Sequence, residues 1–181
     1  NIGQMLRKHI KFLTAASIDL SWVNHHLQKN KSGLETASSL CPWDFNIHGI
    51  TVPVDAEFTY QRQRNRGEAA KGDTLSETRR LYLHLYLNRE RVGEDEKRLA
   101  TDLMSLKNDI EKGLWDELSE SAQKKAEKYL STSRLGRGGR LKVTINEEAY
   151  AQARKDYGYF ALVSNKAEDC FEALRKYRLR E

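Results

Sequence analysis

The stretch RRLYLHLYLN (Arg79 to Asn88) alternates without a break, with Leu81, Leu83, Leu85 and Leu87 on one side of an extended chain and Tyr82, His84 and Tyr86 on the other. A repeat of two belongs to a β-strand, because successive side chains there point to opposite faces; on a helix the same leucines would scatter around the axis. GITVPVDAEFTYQRQ, from Gly49 onward, alternates in the same way and is rich in β-branched residues. Two long antiparallel strands follow. RNRGEAAKGDTLSET lies between them, too long for a tight hairpin turn and rich in Gly and charge, so an exposed, mobile excursion is expected there.

Elsewhere the spacing switches to helical. KFLTAAS (Lys11 to Ser17) reads as a short buried strand, and IDLSWVNHHLQKN after it as a helix with Leu20, Val23 and Leu27 on one stripe. From Lys31 to His48 the pattern lapses into a connection, which Trp43 and Phe45 are expected to pin to the core. EDEKRLATDLMSLKNDIEKG carries Leu99, Leu103, Leu106 and Ile110 on one face, too short for a coiled coil and suited to core packing. DELSESAQKKAEKYL repeats the stripe, which predicts an antiparallel helical pair. After the basic loop STSRLGRGGR come a strand (LKVTINEE), a helix (EEAYAQARKDYG) and an apolar strand (YFALVSN). Asn165 with Glu168 predicts the N-cap and capping box of a final helix. The chain is therefore mixed α+β.

The apolar residues of CFEALRKYRLRE keep helical spacing to the last turn, and neither Gly, Asn nor Pro follows Phe171 to end it. That helix reads as part of something longer.

Charged residues make up 31% of the 181 and apolar ones 39%, enough for a folded core. No apolar run approaches the roughly 20 residues of a membrane span, and no signal peptide is recognisable, so a cytoplasmic protein is expected. Cys41 and Cys170 belong to no Cys-x-x-Cys pair and read as buried thiols. His25 and His26 are adjacent and diverge on a helix, while His84 stands alone on its strand, so the five histidines make no metal site. Walker, dinucleotide, nucleophile-elbow and zincin motifs are all missing from the sequence.

The net charge of +5 leans toward polyanions. YQRQRNR interleaves Tyr60 with Arg62, Arg64 and Arg66, a pattern suited to phosphates and bases but equally to a charged strand end that resists aggregation. Lys71 extends that stretch, Arg134, Arg137 and Arg140 make a second cluster, and Arg175, Lys176, Arg178 and Arg180 crowd the last helix.

YGYFALVSN followed by ALRKYRLRE resembles the bacterial insertion-sequence transposases of the DDE type, in the group marked by Tyr, two residues, Arg, three residues, Glu, six residues, Lys. Tyr177 and Arg180 match the first two positions; KFLTAAS resembles the strand after the family's second catalytic Asp, and GITVPVDAEFTYQRQRNRG with KGDTLSETRRLYLHLYLN resembles the strand-rich insertion between that Asp and the Glu. The resemblance implies an RNase H-like core at 1–48 and 146–181, interrupted by a mixed insertion at 49–145. It places the catalytic Glu three residues beyond Glu181 and assigns neither catalytic Asp, although Asp19, Asp44 and Asp55 are available carboxylates. The parent enzyme would use two Mg²⁺ ions to cut and join DNA at transposon ends. The chain itself would be an inert segment without metal that keeps contact with DNA through the basic residues named above, Tyr177 and Arg180 supporting the active site. The resemblance implies no membrane partner and leaves a homodimeric parent open. The alternative is a non-enzymatic basic module that binds nucleic acid or protein.

Overall fold

In the computed structural model, which describes residues 2–61, 74–134 and 141–180, the two alternating stretches are the longest strands of the protein. In chain order the elements are α1 (Ile2–Arg7), β1 (Leu13–Ala16), α2 (Ser21–Leu34), β2 (Leu40–Cys41), β3 (Asp44–Gln61), β4 (Thr74–Asn88) and α3 (Arg89–Glu111). There follow α4 (Glu120–Tyr129), β5 (Leu130–Arg134), β6 (Leu141–Ile145), α5 (Glu147–Arg154), β7 (Tyr159–Ser164) and α6 (Cys170–Arg178). The fold is mixed α+β, with two compact units: Asn1–Asn88 with Tyr159–Glu181, and Arg89–Gly158. No described helix is long and apolar enough to cross a membrane.

The first unit is a five-stranded antiparallel sheet in the order β1-β7-β4-β3-β2. β3 and β4 pair from Ile47↔Asn88 to Gln61↔Thr74. The sequence reading assigned these strands to an insertion beginning at residue 49, but they share one sheet with β1 and β7. The boundary read at residue 146 falls inside the second unit, between β6 and α5. Pro53 fits within β3 because β2 reaches only Asp44 and His48, leaving the rest of that β3 edge unpaired on the β2 side.

One face of the sheet is dry. Leu81, Leu83 and Leu85 of β4 and Ala161 and Val163 of β7 pack with Leu6 of α1 and with Val23, Leu27 and Leu34 of α2. The opposite face meets α6 through Leu13, Ile47, Tyr86, Leu162, Cys170, Ala173 and Leu174. Cys41 joins this cluster, and both cysteines are buried free thiols. Gly49 lets the helix approach: a Cβ there would lie 2.9 Å from the Phe171 ring and 3.0 Å from the Tyr86 ring.

The second unit has its own core of Leu99, Leu103, Leu106 and Ile110 with Ala126, Tyr129, Leu130 and Val143, as the leucine stripe predicts. α3 ends at Gly113, whose φ of +84° is the left-handed conformation that stops a helix cheaply only at glycine. Ser119 caps α4, and β5 pairs with β6.

Three expectations are corrected. Trp43 and Phe45 do not pin their connection inside the core: they are 53% and 76% exposed, because β2 and β3 form a two-residue turn whose tip holds Trp43 outside the sheet. Asn165 does not cap the last helix; Asp169 does, accepting from the Glu172 amide at 2.7 Å. Asn165 instead holds the approach to β1, its Oδ1 accepting from Phe12 N and its Nδ2 donating to Ile10 O, both at 2.9 Å. The capping box is not formed, since Glu172, not Glu168, sits three residues past the cap and pairs with Lys176. Of RNRGEAAKGDTLSET (64–78), expected as a mobile excursion, residues 64–73 lie outside the described residues, as does the loop at 135–140, while 74–78 continue β4 and pair with β3 because the alternation carries on through Leu75 and Glu77.

Candidate nucleic-acid interface

α6 is seated on the sheet by polar groups in an otherwise apolar layer. Tyr86, fully buried on β4, donates from its hydroxyl to the Cys170 carbonyl at 2.6 Å, and burial pushes its phenol far above the ordinary range. His84, also fully buried, is hydrogen-bonded through Nδ1 to Thr51 Oγ1 at 2.9 Å, while its Nε2 has no hydrogen-bond partner among the described residues. Burial holds the His84 imidazole down to about 4, so the ring is neutral near pH 7. Burial pushes the Cys170 thiol up to about 11, so that sulfur is protonated near pH 7 and no nucleophile. Ser164, almost fully buried at the end of β7, accepts from the amides of Lys166 and Ala167 at 3.0 and 2.8 Å and shapes the turn into α6.

This seating places a basic cleft of about 120 Å³ at the edge of the sheet, lined by Lys11, Leu13, Ser164, Lys166, Lys176 and Arg180. Of its four cations, Lys176 is paired with Glu172. Arg180 is fixed by donating from Nη1 to the Leu13 carbonyl at 2.9 Å, which ties the end of the α6 segment to β1. A donor on a neutral carbonyl keeps its full charge, so the cleft remains strongly cationic. Tyr177, half-buried, packs under the same end of the helix.

The structure thus brings Lys176 and Arg180 together in the cleft, packs Tyr177 against the apolar layer under α6 and places Arg175 exposed on that helix. Arg178 points elsewhere, to Asp44 at 3.3 Å. Arg62, Arg64, Arg66, Lys71, Arg137 and Arg140 lie outside the described residues, and Arg134 ends β5 with its side chain likewise outside them. Lys11 and Lys166 escaped the sequence reading. They become visible once β1 and β7 are known to pair with Leu13 opposite Ser164: continuing that register past the strand ends sets Lys11 against Lys166.

The three aspartates available as metal ligands do not gather into a two-Mg²⁺ site. Asp44 and Asp55 are held by Arg178 and Arg80, and Asp19 closes an exposed turn with Ser17. Among the described residues no group of three His, Cys, Asp or Glu side chains is arranged to hold a metal. The geometry is that of an anion cradle beside a tightly seated helix, and no protein-family model, curated protein or solved structure matches the chain.

Proposed function

We propose that this chain is the part of a DDE-type transposase between the second catalytic Asp and the catalytic Glu, belonging to an RNase H-like parent that cuts and joins DNA ends, and that its own task is to hold DNA. The observation that carries this reading is the cleft of Lys11, Lys166, Lys176 and Arg180 beside the helix that bears Tyr177. In the insertion-sequence signature, Tyr and Arg stand at these two positions of the helix leading to the catalytic Glu. Arg180, already oriented by the Leu13 carbonyl, would present its remaining donors to a phosphate, and the lysines would neutralise its neighbours. The carboxylates of the parent's metal site would come from outside this chain, which is inert alone.

Duplex DNA binding by the full chain should weaken steeply with salt, each neutralised phosphate adding about −0.9 to the slope of log K against log salt. Reversing two cleft charges, Lys11→Glu with Lys166→Glu, should lower affinity by at least tenfold at low salt and flatten that slope by roughly two. Binding that ignores both salt and this substitution would end the proposal. Mg²⁺-dependent nicking by the isolated chain would contradict its inertness.

A further inference from the structure

A second surface lies along α6 and is aromatic as well as basic. Cys41 pairs with Asp44, so Pro42 and Trp43 form the whole of the β2–β3 turn. Proline fixes its own backbone angle, which presents Trp43 from a stiff support rather than a floppy loop. The indole meets the Phe171 ring edge-on, with centroids 5.9 Å apart and planes 75° to each other, yet Trp43 is 53% exposed and Phe45 nearby 76%. Asp44 between them is bound by Arg178 of α6. Phe171, Arg175 and Arg178 are four and three residues apart in sequence and therefore share one stripe of the helix. The result is a ledge where exposed Trp43, two residues before exposed Phe45, stands against the helix stripe that carries Arg175 and Arg178.

We infer that this ledge stacks the unpaired nucleobases of a single DNA strand on Trp43 and Phe45, while Arg175 and Arg178 take its phosphates. The charge argues for this occupant: among the described residues, Arg175, Lys176, Arg178 and Arg180 form ion pairs with two carboxylates, Glu172 and Asp44. An apolar protein partner would match the rings and leave these cations in a desolvated interface without anions, whereas a nucleic-acid strand supplies flat π-faces and one negative charge per nucleotide. The Arg178–Asp44 pair is exposed and weakly held, so Arg178 can exchange Asp44 for phosphate at little cost. Duplex DNA keeps its bases stacked on one another, so the ledge selects unpaired ones.

The inference rests on the DNA-holding reading, and one set of titrations separates the two. In the full chain carrying Trp22→Phe and Trp115→Phe, Trp43 is the sole tryptophan. A short oligothymidylate at low salt should quench its emission, and an abasic strand of the same length should bind without quenching and more weakly. In the otherwise unaltered chain, Trp43→Ala should lower oligothymidylate affinity roughly tenfold and duplex affinity little, and Trp43→Phe should recover most of the loss. If oligothymidylate binds without quenching, or binds Trp43→Ala as tightly, the ledge is refuted while the basic cleft stands. If the chain binds duplex but no single strand, the ledge is likewise refuted. Binding of neither form overturns both.

Discussion

The two faces of β4 are built from adjacent residues and do different work. Leu81, Leu83 and Leu85 bury carbon against α1 and α2, with no polar atom to satisfy. One residue over, Tyr82, His84 and Tyr86 carry a polar tip each, and the helix laid on them is located by a specific atom, the Tyr86 hydroxyl on the Cys170 carbonyl, while Thr51 holds the His84 ring beside it. Tyr82 stands at the open end, and the Glu168 carboxylate just before α6 pushes its phenol up. An apolar face stabilises without much regard for register, since neighbouring leucines are nearly interchangeable partners. A polar face is costly when misaligned, so it fixes one position for the element above it. In this protein the element so fixed carries the basic cleft.

Substitutions that treat the faces differently sharpen this contrast. The largest effect belongs to the dry face: Leu83→Ala, at a fully buried site, should cost about 3 kcal/mol in urea denaturation, with the DNA affinity of the remaining folded protein unchanged. A loss of DNA affinity in that variant would show that the faces are not separable.

The next effect is pH-dependent and belongs to the polar face. His84 is held near 4 in the fold, against about 6.5 in the unfolded chain, so the unfolded state binds the extra proton first. Stability from this residue is therefore complete above about pH 6.5 and falls as pH drops toward 4, by up to about 3 kcal/mol at roughly 1.4 kcal/mol per pH unit. His84→Gln, which keeps a hydrogen-bonding group for Thr51 and cannot titrate, should remove that share of the acid sensitivity. Equal pH slopes for the two proteins between pH 6.5 and 4.5 would contradict the buried, neutral imidazole.

The smallest effect tests positioning alone. Tyr86→Phe removes one hydroxyl and leaves the Cys170 carbonyl its helical bond alone, for about 1 kcal/mol. It should also weaken DNA binding several-fold, because α6 loses its anchor. An unchanged affinity would mean that Leu174 and Ala173 suffice to place the helix.

The strands were readable because period two is unambiguous over ten residues, and the α3 stripe was readable because its leucines keep helical spacing to a glycine stop. The alternation was less informative about what each face touches. His84 and Tyr86 sit on the polar side of the pattern and are nonetheless fully buried, because α6 returns to cover them from a distant part of the sequence. Trp43 misled for the converse reason: hydrophobicity argues for burial, but at a two-residue turn on a sheet end the indole meets Phe171 edge-on and stays half exposed. Asn165 carries a good cap side chain, yet two backbone groups of residues 10–12 claimed it first. Of the cleft, Lys176 and Arg180 were legible as part of a basic helix end, while Lys11 and Lys166 needed the β1–β7 register.

The most direct test of a DNA-holding cleft seated by the polar face is hydrogen exchange on the full chain at low salt, with and without duplex DNA. Slowed exchange in residues 10–13 and 164–180 is the predicted result. DNA binding that leaves those amides unchanged, with protection appearing only elsewhere, would contradict the account.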